Sequence, residues 1–141
     1  SALFGYDHLQ GRPDLLLCEG EFDAILMRRI VGDVMDVATF GSASGTDIRL
    51  WLPVLVGYRR IWLGFDNDEA GERARREWYK RTRRAHGLIV PVGKDWTETW
   101  QELGDNGLRE YIIESVSMEC EHEQETGELD GDIRTACHQS G

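Results

Sequence analysis

The chain has 141 residues, enough for one domain with a core of its own. Its 40% apolar content is ordinary for a globular protein, and no apolar run approaches the roughly 20 residues of a membrane helix. The net charge of -10 argues against a nucleic-acid partner, and three cysteines without a regular spacing exclude a disulfide framework, which favours a reducing, cytoplasmic setting. The chain opens on Ser1 and Ala2, and we expect it to be a piece of a longer protein.

Short β-rich runs alternate with longer amphipathic ones. LLLCE, Leu15 to Glu19, reads as a buried strand. EFDAILMRRIV follows as a helix, with Phe22, Ile25, Leu26 and Ile30 expected on its apolar face. VMDVATF, Val34 to Phe40, is a second strand, closed by the turn-rich GSASGT. Asp47 stands where it would cap IRLWLPVLVG, a largely apolar helix kinked at Pro53. RIWLGF, Arg60 to Phe65, is the third strand.

A long helix is predicted from Glu69 to His86, with Ala70, Ala74 and Trp78 at every fourth position and Gly87 as its stop. LIVPV, Leu88 to Val92, reads as a short fourth strand. GKDWTETWQELG reads as a loop leading to a short helix, and LREYIIESV closes the body with Leu108, Tyr111, Ile112 and Val116 on one face. This order predicts an α/β fold, a four-stranded, mostly parallel sheet flanked by helices, over residues 3–116. Residues 117–141 carry seven acids and one arginine, and read as an acidic tail that packs poorly.

In open parallel sheets, binding and chemistry gather at the carboxyl ends of the strands. The first strand delivers Glu19 and Gly20 there, with Asp23 one helical turn on. The second delivers Gly41-Ser42-Ala43-Ser44-Gly45, the third Asp66, Asp68 and Gly71, and the fourth Gly93-Lys94-Asp95. Carboxylates crowded on one edge repel and raise one another's pKa unless a cation neutralises them. Oxygen-only ligands suit Mg²⁺ or Mn²⁺ rather than zinc, and glycines let a backbone approach phosphate. Asp68 taken alone also reads as the cap of the helix starting at Glu69. Asp66 and Glu19, which end apolar strands, have no such use, and together they point to metal-assisted phosphoryl transfer.

The charge distribution reopens the question of partners. With the tail set aside the body carries only a small negative charge, and Arg73, Arg75, Arg76, Lys80, Arg81, Arg83 and Arg84 fall in one segment. Such a stripe is compatible with phosphate contacts, and equally with a solvated helix face. Trp96 and Trp100 fit a buried core better than a base-stacking face. Cys120 and His122 with Cys137 and His138 lack the CxxC spacing of a zinc module.

LLLCEGEFDAIL, followed some forty residues later by IWLGFDNDEAGERA, resembles the Toprim domain of bacterial-type primases, type IA and type II topoisomerases, nucleases and recombination mediators. That pattern is a strand ending in Glu-Gly and another ending in Asp-x-Asp-x-x-Gly, here Glu19-Gly20 and Asp66 to Gly71. Glu19-Gly-x-x-Asp23, GSASG and Gly93-Lys94-Asp95 are most similar to the primases of bacteria, phages and plasmids. The resemblance implies a metal cluster of Glu19, Asp23, Asp66, Asp68 and Asp95, with Glu19, Asp66 and Asp68 catalytic. Thr97 stands where some primases carry a further acid.

It also implies RNA primer synthesis on a single-stranded DNA template from NTPs with Mg²⁺ or Mn²⁺, and a replicative helicase as a further partner. Gly20, Gly41, Ser42, Gly71, Arg73, Arg76, Lys80 and Lys94 are the expected contacts to phosphate or nucleic acid. A metal-dependent nuclease, or a non-catalytic module of a repair or recombination protein, fits the same carboxylates.

Overall fold

The computed structural model of the protein describes residues 3–41 and 48–126. Ser42, Ser44, Gly45 and Asp47, with the readings placed on them, lie outside these residues, as do Cys137 and His138. Four parallel strands form one sheet: β1 (Asp14–Cys18), β2 (Asp36–Thr39), β3 (Arg60–Gly64) and β4 (Ala85–Gly87), in the order β2-β1-β3-β4. The α/β expectation holds, and the two strands carrying the predicted carboxylates are central neighbours, paired from Asp14↔Arg60 to Cys18↔Gly64.

Helices cover both faces. α1 (Glu21–Val31) and α4 (Trp96–Thr126) lie on one side, and α2 (Leu52–Leu55) and α3 (Glu69–Arg81) on the other. Alternation along β1 sends Leu16 and Cys18 into the first layer and Leu15 and Leu17 into the second, all of them buried. A sheet covered on both faces needs such near-continuous apolar strands. No helix among the described residues is long and apolar enough to cross a membrane.

Several local expectations are corrected. The fourth strand lies at Ala85–Gly87, not Leu88 to Val92, and the long helix ends at Arg81 rather than His86. Arg84 donates to the carbonyls of Val56 and Tyr58, and its own carbonyl accepts from Ile61 N–H, so the chain must leave the helix before entering the sheet. Leu88 N–H still bonds Leu63 O at 3.1 Å, but Pro91 has no N–H to extend the ladder. The segment read as one helix kinked at Pro53 is a 3₁₀ turn, Ile48–Trp51, followed by the short α2 with its proline in the first turn.

A further correction concerns α1. Asp23, Ala24, Met27, Ile30 and Val31 form its buried face, while Phe22 is 85% exposed and Ile25 is 51% exposed. The helix is rotated so that Asp23 meets the rim of the sheet, which turns Phe22 outward.

α4 extends through much of the segment read as a poorly packed tail. It breaks at Gly104 (φ 70°, ψ -178°) and then runs on to Thr126. Its last turns are pinned to the sheet edge opposite the predicted carboxylates. There Arg60 donates to Glu123 at 2.9 and 2.8 Å, and Asp14 receives Trp62 Nε1 at 2.8 Å. His86 Nδ1 lies 3.2 Å from Glu119 and Nε2 3.2 Å from Glu123. Cys120, buried on the same stretch, is a free thiol, and His122 is exposed.

Removing Glu123 would take from the buried Arg60 its nearest carboxylate, leaving Asp14 at 3.9 Å. We expect Glu123→Ala to lower stability by about 3 kcal/mol or more in urea denaturation. A loss under about 1 kcal/mol would mean that the pair behaves as a solvated one.

Candidate metal and phosphoryl-transfer site

Each parallel strand stops where its backbone can no longer pair, so β1 and β3 release Glu19 and Asp66 side by side. Asp66 N–H donates to Glu19 Oε2 at 2.7 Å, tying the two tips together. Below them, Thr39 Oγ1 donates to Glu19 O at 3.1 Å and fixes β2 to the same edge.

Asp68 is both cap and candidate ligand. Its Oδ1 accepts from Gly71 N–H at 2.8 Å and starts α3, while Oδ2 lies 3.8 Å from Lys94 Nζ. Asp95 is divided in the same way, with Oδ1 accepting from Glu98 N–H at 2.9 Å at the start of α4. Asp23 is 7% exposed and receives Thr97 Oγ1 at 3.1 Å. At the position where some primases carry an acid, Thr97 thus supplies a hydrogen-bond donor to the carboxylate opposite.

Asp66 is different. Among the described residues no donor or cation reaches its carboxylate, although it stands at the centre of the group. Burial, then the charges of Glu19, Asp23, Asp68 and Asp95, push its pKa up to about 7. The Asp23 carboxyl is likewise raised, by burial first and by Asp95 and Glu19 among the further causes. The other four predicted carboxylates thus all bear on Asp66 at one edge of the sheet. A half-buried oxygen cluster whose central member lacks a counter-charge is suited to a hard divalent cation, so the residues present fit Mg²⁺ or Mn²⁺.

The phosphate-side expectations divide. Gly20 leaves open space where a side chain would stand, and Gly41 takes φ +81° at the end of β2. Lys94 is largely exposed, and its carbonyl accepts Asn67 N–H at 2.7 Å. Arg73, Arg76 and Lys80 lie exposed along α3. Gly71, expected on the phosphate side, is instead buried: a Cβ there would stand 2.1 Å from Asp66 O. Its N–H is taken by Asp68, so it is a packing glycine. Arg75 is also withdrawn from the stripe, being buried and bonded to Phe65 O at 3.2 Å. Trp96 is fully buried and donates to Gly64 O, and Trp100 lies under the Arg29 guanidinium, so neither presents a free ring.

Sequence reasoning missed the second cluster, at the opposite edge, where Glu119 and Glu123 flank His86. No local motif marks it, because its members come from separate elements. Each imidazole nitrogen of His86 faces one glutamate at 3.2 Å, and Glu123 is also bonded to Arg60.

Two outcomes follow from this geometry. Between about pH 4 and pH 7 the folded protein holds a proton on Asp66 that the unfolded chain has lost, so stability must fall as pH rises through that window. Thermal unfolding in a chelator should show this fall, and Asp66→Asn should flatten it; an unchanged slope would refute the raised pKa. Gly71→Ala should cost about 1–3 kcal/mol and weaken Mn²⁺ binding by displacing the Asp66 backbone, measured by denaturation and calorimetry.

A Toprim-like family profile matches residues 16–100, more than half of the chain. No curated protein matches it. Among solved structures, the primase fragment of the bacteriophage T7 primase-helicase protein is similar with TM-score 0.68 and 25% identity, over 79% of this chain and 48% of that one. A chain in the complex of bacteriophage T7 lagging-strand DNA polymerase with primase domains bound to an RNA/DNA hybrid and dTTP is similar in fold, with TM-score 0.65 and 23% identity over 78% of this chain. The present chain spans 48% and 58% of the lengths of those two. With its parallel sheet, its Glu19 and its Asp66 to Gly71 motif, the chain belongs to the Toprim-like family.

Proposed function

We propose that the chain is the metal-dependent catalytic domain of a DNA primase, joining ribonucleotides on a single-stranded DNA template. The observation that carries the reading is the Asp66 carboxylate, which among the described residues has no donor or cation and stands among four other acids at the strand ends. Membership of the Toprim-like family and the similarity to a phage primase fragment support it.

Asp66 and the free oxygens of Asp68 and Glu19 would hold Mg²⁺ or Mn²⁺, with Asp23 and Asp95 completing the field. Bound there, the cation neutralises triphosphate charge and lowers the pKa of the attacking 3′-hydroxyl. Glu19 spends one oxygen on Asp66 N–H, and its other oxygen either shares the metal or accepts the proton of that hydroxyl. Lys94, beside Asp68, and the open backbone at Gly20 and Gly41 receive the phosphates of the incoming NTP. Arg73, Arg76 and Lys80 line α3 away from the carboxylates and hold the nucleic-acid backbone. The cytoplasm is the setting we propose, with a replicative helicase as partner.

With template, NTPs and Mn²⁺ or Mg²⁺, the protein should make RNA, and Asp66→Ala with Asp68→Ala should reduce the yield about 100-fold or more. Shortened DNA in place of RNA would convert the reading to a nuclease. Unchanged Mn²⁺ affinity in the double variant, by calorimetry, would refute the metal site itself.

A further inference from the structure

Four of the five carboxylates at the strand ends give one oxygen to a donor of the protein itself. Glu19 Oε2 accepts Asp66 N–H at 2.7 Å, Asp68 Oδ1 accepts Gly71 N–H at 2.8 Å, and Asp95 Oδ1 accepts Glu98 N–H at 2.9 Å. Asp23 Oδ1 accepts the Thr97 hydroxyl at 3.1 Å. Each of the four keeps one oxygen outside these bonds.

Three of the donors are backbone amides, present whatever the side chain. The fourth is a side chain, and it comes from a different element. Thr97 stands in the first turn of α4 and reaches Asp23 in the first turn of α1, 74 residues away along the chain. The turn that carries it is held on both sides. Trp96, fully buried, donates to Gly64 O at 2.9 Å, and Thr99 Oγ1 donates to Val92 O at 2.7 Å. The hydroxyl is therefore a donor in a fixed place, set against an acid that is only 7% exposed.

The number of free oxygens bears on which cation fits. Ca²⁺ takes about six to eight oxygens and often both of one carboxylate, whereas the smaller Mg²⁺ demands octahedral geometry and keeps several waters. Mn²⁺ shares that octahedral oxygen preference. We propose that Thr97 is a positioning residue that sets the cation preference of this edge. By holding one Asp23 oxygen, it keeps that acid from closing on a larger ion such as Ca²⁺ with both. This inference rests on the metal site of the function proposed above, and deepens it by naming what selects the ion. The backbone N–H of Thr97 bears on the same carboxylate, so removing the hydroxyl loosens Asp23 without leaving it bare.

Calorimetry of the full chain with Mn²⁺ and with Ca²⁺ tests it. Thr97→Val and Thr97→Ala should lose about 10-fold in Mn²⁺ affinity while keeping or gaining Ca²⁺ affinity, and Thr97→Ser should keep the parent's values for both. Two hydroxyl-free variants of different size separate the lost bond from a packing defect, and thermal unfolding in a chelator should show both folded. An equal loss for the two ions would make Thr97 merely structural and overturn the proposal, as would unchanged affinities. In the parent, an about tenfold excess of Ca²⁺ should leave Mn²⁺ bound, and displacement would overturn the proposal without any variant. A parent that shows the preference, with the shift on losing the hydroxyl, but makes no RNA would refute the polymerising reading and leave the role of Thr97 standing. A parent that binds no Mn²⁺ would refute the metal site and this inference together.

Discussion

One hydrogen bond organises the active edge, that from Asp66 N–H to the Glu19 carboxylate. It joins the tips of two parallel strands just where their ladder has run out, and it uses a ligand oxygen to do so. Parallel strands cannot be joined by a tight turn, so their ends meet only through side chains or through what they bind. The bond brings two acids together where burial first, then the charges of Glu19 and three further acids, raises the Asp66 pKa. A divalent cation would relieve that repulsion without breaking the bond.

The opposite edge of the sheet solves the converse problem. There the acids meet protein partners, with Arg60 set between Asp14 and Glu123 and His86 set between two glutamates. The cost of burying such groups is recovered only if every partner stays in place, so the network pins the end of α4. The carboxyl edge differs, for among the described residues no donor or cation reaches Asp66 there.

The sequence carries the sheet and the carboxylate cluster plainly, because apolar runs and strand-end acids are local patterns. Parallel topology followed from the alternation of strands and helices, and Glu19, Asp23, Asp68 and Asp95 all bear on the charge of Asp66. What failed was decided by distant contacts. The fourth strand moved upstream to Ala85 because Arg84 is held by carbonyls of the preceding loop. α1 turned Phe22 outward because Asp23 had to face the rim, which a count of apolar residues at helical spacing does not register. The acids of α4 looked like a solvated tail because their counter-charge, Arg60, lies 63 residues away along the chain.

Gly71 bears on any attempt to graft this chemistry elsewhere. Its backbone lies against Asp66 O too closely for any side chain, and its N–H orders Asp68. The two aspartates are thereby set by the chain that follows them as much as by the strand before. A transplant of the acidic triplet alone would carry the charges without the scaffold that spaces them. The smallest portable unit is strand, turn and first helical turn together, with the neighbouring strand that supplies Glu19.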